Sequence, residues 1–423
     1  MAHNATNNRA RGARAAEANR NALLNLTIGE VALRGLEQIS LRQIAKAAGV
    51  STTAIFQNFE GKADLIAAAA NQAIASDEAF HAELRESCFS LIADQQGLAD
   101  FLASYIELRI GRSDAAFLAE LLVQLGELPQ CREALRGWQR KRFAFWRELV
   151  DRLPVPAGLA GIISSYVVME ELYARALTSH PQYRLLMLET CRALCGAVRG
   201  SSKPAGSAAA RLATEPFAIR QPHRNGAGQP IAEHLLHSAV EIINEAGVHA
   251  LNQRDLAARA GVSASLIAYH YKDMRTLTTQ AVWHALVQGI PVQLDPGGDK
   301  SAFPATLSEW FATLESMLQI GGSGPQGFYI GLSRLSSEAC LLASRNPALV
   351  PLISYLRGLE GWGTYRVSQS IPTLAESVER DQAAAFAVWI KSQALLRIAG
   401  LAEPDPTAES VANAAALVFP GRR

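Results

Sequence analysis

The stretch "AGVSTTAIFQNF" at residues 48–59 decides how the chain is read. It has a Gly where a helix stops, a Ser two residues on that suits an N-cap, and a short run carrying Ile55 and Phe59. A second stretch, "AGVSASLIAYHY" at 260–271, opens identically and ends differently. Setting Gly49 on Gly261 fixes an offset of 212 residues, and the match runs without a gap from Leu23/Leu235 to Leu65/Leu277. Identical pairs include Leu24/Leu236, Gly35/Gly247, Arg42/Arg254, Ala45/Ala257, Ser51/Ser263 and Ile55/Ile267. A period this long marks duplicated domains rather than a solenoid.

Each copy opens on a helical pattern. Leu23, Leu24, Ile28, Val31 and Ala32 recur at helical spacing over 21–34, and Gly35 ends that helix. Ser40 reads as the N-cap of 41–48, and Gly49 stops that helix. Ser51 caps 52–58, and a longer helix starts near Lys62. Asn252 and Ser263 are the corresponding caps in the second copy. Val50 and Ile55 are expected in the core, with Thr52, Thr53, Gln57 and Asn58 left outside. Two short helices joined by a Gly-containing turn form a helix-turn-helix, whose second helix enters the major groove of DNA.

Here a family resemblance becomes specific. Residues 23–65 resemble the DNA-binding domain of the TetR family of bacterial regulators, through "LRQIAKAAGVSTTAIFQNFEGKADL" at 41–65. The second copy resembles it through "QRDLAARAGVSASLIAYHYKDMRTL" at 253–277. The resemblance implies an all-α chain of two tandem units, each a helix-turn-helix domain followed by a helical ligand-binding and dimerisation body. It places base contacts at Thr52, Thr53, Phe56, Gln57 and Asn58, and at Ala264, Ser265, Ala268, Tyr269 and His270. Lys62 matches the family's phosphate-binding Lys. The second copy departs there, with Met274 at that position and Arg275 beside it, and with Ala268 where an aromatic is usual. Tyr269, His270 and Lys272 are the residues that would compensate. Arg42 and Arg254, at the start of the second helix, either contact phosphate or are plain exposed surface.

The resemblance also implies a double-stranded DNA operator and a small apolar or amphipathic effector, with no cofactor. Aromatic residues of the bodies are the pocket candidates: Phe101, Tyr105, Phe117, Trp138, Trp146 and Tyr166 in the first copy, Trp310, Phe328 and Trp362 in the second. Most aromatics at helical spacing are core, and a few line a cavity. The last two helices of each copy (158–177 and 182–199; 381–402 and 407–419) are apolar-rich. In the family such helices form a dimer interface. In this chain they imply an intramolecular pseudo-dimer, a monomer with two reading heads about 34 Å apart, with further dimerisation left open.

The expected organisation is a basic flexible arm (1–20), a first helix-turn-helix (21–66), a first body (67–200), a linker and basic arm (201–230), a second helix-turn-helix (231–277) and a second body (278–423). The whole chain of 423 residues carries a net charge of only +1, so DNA binding must rest on local charge. Arg9, Arg11, Arg14 and Arg20 against Glu17 give the first arm a net +3. Lys203, Arg211, Arg220 and Arg224 against Glu215 do the same for the second. Such arms suit narrow minor grooves, or serve solubility alone. The "GGSGPQG" loop at 321–327 reads as a mobile portal or a long connection.

Other classes find little support. The sequence contains no H-E-x-x-H, G-x-S-x-G or G-x-x-x-x-G-K motif, so neither catalysis nor a metal site is expected. His234 and His237 share a helix face without an acidic partner to complete a site. Cys191 and Cys195, four apart on one helix, read as packed thiols, with a zinc or redox site as the alternative. The first 20 residues are polar, and charges interrupt every apolar run before membrane length, so a cytoplasmic protein is expected. The function expected is a ligand-responsive transcriptional regulator, a repressor reading two unlike half-sites. The alternative is a helical DNA-binding or scaffold protein without an effector, whose second head is degenerate.

Overall fold

The structure is a computed structural model that describes residues 2–196, 208–209, 211, 229–288, 303–321, 327–375, 377–402 and 411–419, with 2–16 and 127 as backbone alone. Among these, every regular element is helical, and no helix is long and apolar enough to cross a membrane. The linker 201–230 lies outside the described residues apart from 208, 209, 211, 229 and 230, and the 321–327 loop apart from its two end glycines. The chain divides into two compact units: residues 1–89 with 111–142, and residues 90–110 with 143–423. The expected first body (67–200) is therefore shared between the two.

The first unit holds α1 (Ala2–Arg34), α2 (Leu41–Ala48), α3 (Thr52–Phe56), α4 (Lys62–Cys88), α6 (Ser113–Val123) and the start of α7 (Arg132–Val150). α1 packs on α2, α4 and α6. Its apolar stripe, Leu23, Leu24, Ile28 and Val31, is buried with Ile44, Ile55, Phe59 and Leu65. The backbone is already helical from Ala2, where a flexible arm was expected over 1–20. Ala recurs seven times between residues 2 and 18, and Ala is the strongest helix former. Polar ties fix the body side: Trp138 donates its indole N–H to Asp77 Oδ2 at 2.7 Å, and Arg112 binds Asp114 at 2.5 Å while covering the Phe80 ring.

The second unit holds α5 (Gln95–Ile110), the end of α7, α8 (Leu159–Leu177), α9 (Pro181–Leu194) and all of the second copy. That copy runs α10 (Pro230–Ala246), α11 (Gln253–Ala260), α12 (Ala264–His270), α13 (Met274–Gln288), α14 (Leu307–Met317) and α15 (Phe328–Ala343). It continues with α16 (Val350–Leu359), α17 (Trp362–Ser370), α18 (Arg380–Ala399) and α19 (Val411–Val418). Two helices, α8 from the first copy and α18 from the second, are buried along nearly their whole length and pack on each other. α15 and α16 also lie on α8, and α9 lies on α18. The contact between the copies thus involves more than the last two helices of each. The final helix, eight residues long, packs on α14 and α18 of its own copy and sets Leu417 against Gly158 of the first, while α15 and α16 add to the contact on α8.

The five cysteines are free thiols. Burial pushes those of Cys191, Cys195 and Cys340 up, which keeps them protonated and weakly nucleophilic. Among the described residues, no group of three or more His, Cys, Asp or Glu side chains is placed to hold a metal ion.

Candidate nucleic-acid interface

The two heads are built by the same local rules. Ser40 Oγ accepts from Gln43 N at 3.3 Å, and Gln43 Oε1 accepts from Ser40 N at 2.8 Å, a complete capping box for α2. Asn252 Oδ1 accepts from Asp255 N at 3.0 Å at the same place in α11. The Asn252 amide in turn holds the Asp255 carboxyl below the usual carboxylate range. Gly49 and Gly261 sit in the left-handed region, φ 67° and 65°, where a side chain is strained. Ser51 and Ser263 then cap the third helix, accepting from Ala54 N at 3.2 Å and Leu266 N at 3.3 Å. Ser51→Ala is expected to cost about 1 kcal/mol in urea unfolding of the full chain, and Ser51→Gly only a few tenths. A Ser51→Ala loss near zero would mean the hydroxyl is idle.

Ile55 and Ile267 turn inward, and the other faces of α3 and α12 are left to solvent. Val50 does not join the core as expected. It is 40% exposed, because its backbone N–H closes the turn on Ala45 O and the side chain projects from the corner. Thr52, Thr53, Phe56, Gln57 and Asn58 are all exposed, Phe56 at 57%. Asn58 bends its amide back to Ala54 O at 2.9 Å. Gln57 has both a donor and an acceptor and the Thr residues a hydroxyl and a methyl, groups that read base edges and thymine methyls.

The second head presents other chemistry. Tyr269 is 82% exposed and meets the His270 ring edge-on, centroids 5.1 Å apart. His270 Nδ1 lies 3.1 Å from Gln229 Oε1. Ser265 Oγ is 2.8 Å from Ser263 Oγ, and Ala264, Ala268 and Lys272 are exposed beside them. Arg42 is exposed, as is Arg254, which reaches Asp255 Oδ1 at 3.4 Å. His234 Nε2 sits 3.2 Å from Ala260 O, and His237 Nε2 3.3 Å from Glu241 Oε1.

The candidate phosphate-binding cations differ between the heads. Lys62 Nζ donates to Leu36 O at 3.2 Å, which spends one of its three N–H donors on the fold. Arg275, next to the lysine's counterpart Met274, turns away to Arg345 O and Asn346 Oδ1.

Two glutamates escaped the sequence reading. The Leu36 N–H donates to Glu120 Oε2 of α6 at 3.4 Å, and the Val248 N–H donates to Glu338 Oε2 of α15. Both carboxylates are buried, at 1% and 9% exposure. Each N–H follows a positive-φ glycine, Gly35 or Gly247, at the turn between the first two head helices. A Cβ on Gly247 would lie 2.6 Å from Glu338 Oε1, so the turn and the body helix close tightly there. The signal was present: an acid inside "FLAELLV" (117–123) and inside "SSEACLLA" (336–343) interrupts an apolar run and needs a partner.

The pocket candidates are packed side chains. Tyr105 lies 4.9 Å from Trp146 and 6.0 Å from Phe145, and Phe101 lies 5.9 Å from Trp146, centroid to centroid. Phe117, Trp138, Tyr166 and Trp310 are buried, while Phe328 and Trp362 are half-buried. Phe117 and Trp138 belong to the first unit and the rest to the second.

Compared with known families, the chain matches the bacterial regulatory proteins of the tetR family twice, over residues 23–69 and 235–281. No curated protein matches the chain.

Proposed function

Because the chain is a TetR-family regulator carrying two TetR-like units in tandem, we propose that it is a cytoplasmic, small-molecule-responsive repressor whose single chain reads two non-identical operator half-sites. The observation that carries this reading is the contrast between the heads. Their caps and glycine turns are equivalent, while their outward third-helix residues are Thr-Thr-Phe-Gln-Asn, all exposed, and Ala-Ser-Ala-Tyr, exposed, followed by a half-buried His. Backbone equivalence aims both helices alike, and the side-chain difference selects different bases. Arg42 and Lys62 in the first head, and Arg254 and Lys272 in the second, would take phosphates.

A small apolar or amphipathic effector would act through the bodies. The Glu120 and Glu338 contacts give that response a route, since each joins a body helix to the turn leading into a head. The same chain without an effector, a constitutive DNA binder, is favoured by one observation: Phe101, Tyr105, Phe145 and Trp146 fill one another's space. A thermal-shift screen separates the two, because only the repressor gains stability from a compound that also releases DNA.

The test is titration of the full chain onto its selected duplex, with native mass spectrometry for stoichiometry. One chain per duplex is expected. Affinity should fall roughly 10³–10⁵-fold between 50 and 200 mM salt if six to ten phosphates are contacted. A flat salt response, or two chains per minimal site, would overturn the reading.

A further inference from the structure

α8 meets the second copy along a mostly apolar surface that also buries charged and polar side chains. Glu170 is 0% exposed and Arg357 of α16 only 1%. They pair through two hydrogen bonds, Arg357 Nε to Glu170 Oε1 at 3.1 Å and Nη2 to Oε2 at 3.0 Å. The surroundings complete the pair: Tyr183 OH donates to Glu170 Oε1 at 2.8 Å, and Arg357 Nη2 also donates to Thr190 Oγ1 at 3.0 Å. Further along, Tyr173 OH donates to Glu360, Gln393 Nε2 donates to Ser165 Oγ at 2.9 Å, and the Met169 N–H donates to Ser392 Oγ at 3.1 Å.

A self-complementary interface repeats each contact twice about its axis. This one does not. The first copy supplies the buried carboxylate of the pair and the second supplies the guanidinium. α8 has one basic residue, Arg175, and that side chain is turned to the carbonyls of Arg109 and Ile110. Two first-copy surfaces brought together would bury Glu170 away from Arg357. Two second-copy surfaces would bury Arg357 away from Glu170. A buried charge deprived of its partner weakens association by at least about 100-fold.

We infer that the α8–α9 surface accepts one kind of partner, the second copy of this same sequence, and excludes a second first-copy surface. Charge, as well as tethering, sets the pairing. Every assembled molecule therefore carries one head of each type. The inference concerns pairing alone and stands or falls independently of what the heads bind.

The experiment uses the full chain with a site-specific protease sequence inserted within 201–228, purified intact, cut, and weighed by native mass spectrometry. The two fragments should stay together 1:1. After mixing with isotope-labelled cut protein, exchanged species should contain one fragment of each kind. Glu170→Arg should weaken the cut complex at least about 100-fold, and adding Arg357→Glu should restore it. Glu170→Gln, which keeps an acceptor for Tyr183 but leaves Arg357 buried without its carboxylate, should also weaken it at least about 100-fold and covers the case in which Glu170→Arg fails to fold. Fragment homodimers, or a cut Glu170→Gln complex as tight as the parent, would overturn the inference.

Discussion

Replacing Lys391 by methionine is expected to destabilise the second unit by about 3–5 kcal/mol, the cost of breaking a buried ion pair from one side. Lys391 and Glu360 are 3% and 6% exposed, and the ammonium donates to the carboxylate and to Tyr173 OH. Burial, reinforced by the adjacent Glu360, holds the Tyr173 phenol well above its usual range, so it remains an O–H donor. Glu360 stands at the break between α16 and α17, where Arg380 also binds the carbonyls of Glu360 and Gly358. Methionine fills the space of the lysine stem but leaves the carboxylate with a phenol alone. Adding Glu360→Gln should recover part of the loss, because the amide oxygen still accepts from Tyr173 and the unpaired carboxylate is gone, though buried Arg380 loses the charge beside it. Urea unfolding of the parent and the two variants reads the result. A Lys391→Met variant within 1 kcal/mol of the parent would mean that the pair does not hold this break.

The second large effect concerns DNA. Gln57→Ala should lower operator affinity roughly 10–100-fold, the 1–3 kcal/mol of a good base-edge contact, and only through the half-site read by the first head. Tyr269→Ala should act only through the other half-site. The effects should add on the full operator, since Gln57 and Tyr269 belong to different heads. Duplexes with one half-site scrambled make the assignment. Scrambling the half-site that a mutation affects should abolish that mutation's cost. If Tyr269→Ala is neutral on every duplex while Gln57→Ala is costly, the second head does not read bases.

The heads were legible in the sequence because their determinants are local. A glycine at φ 67°, a serine cap three residues from its donor and one inward isoleucine are all encoded within twelve residues. Residue type misled at Val50, where corner geometry outweighs hydrophobicity, and in the N-terminal segment, where alanine content outweighs the polar residues around it. The buried ties between α8 and the second copy were not legible in the sequence. Glu170 and Arg357 lie 187 residues apart, and no spacing rule links them. Lys62 shows a subtler limit: its position is set by the motif, yet one of its donors serves Leu36 O inside the fold.

The proposal that one chain reads two unlike half-sites can be tested on its own. Selecting bound sequences from random duplex DNA with the purified full chain tests it most directly. One enriched site made of two different half-sites in fixed order and spacing, recovered with one chain bound, is the expected result. A perfect palindrome bound by a single chain, or no enrichment over the starting pool, would contradict it.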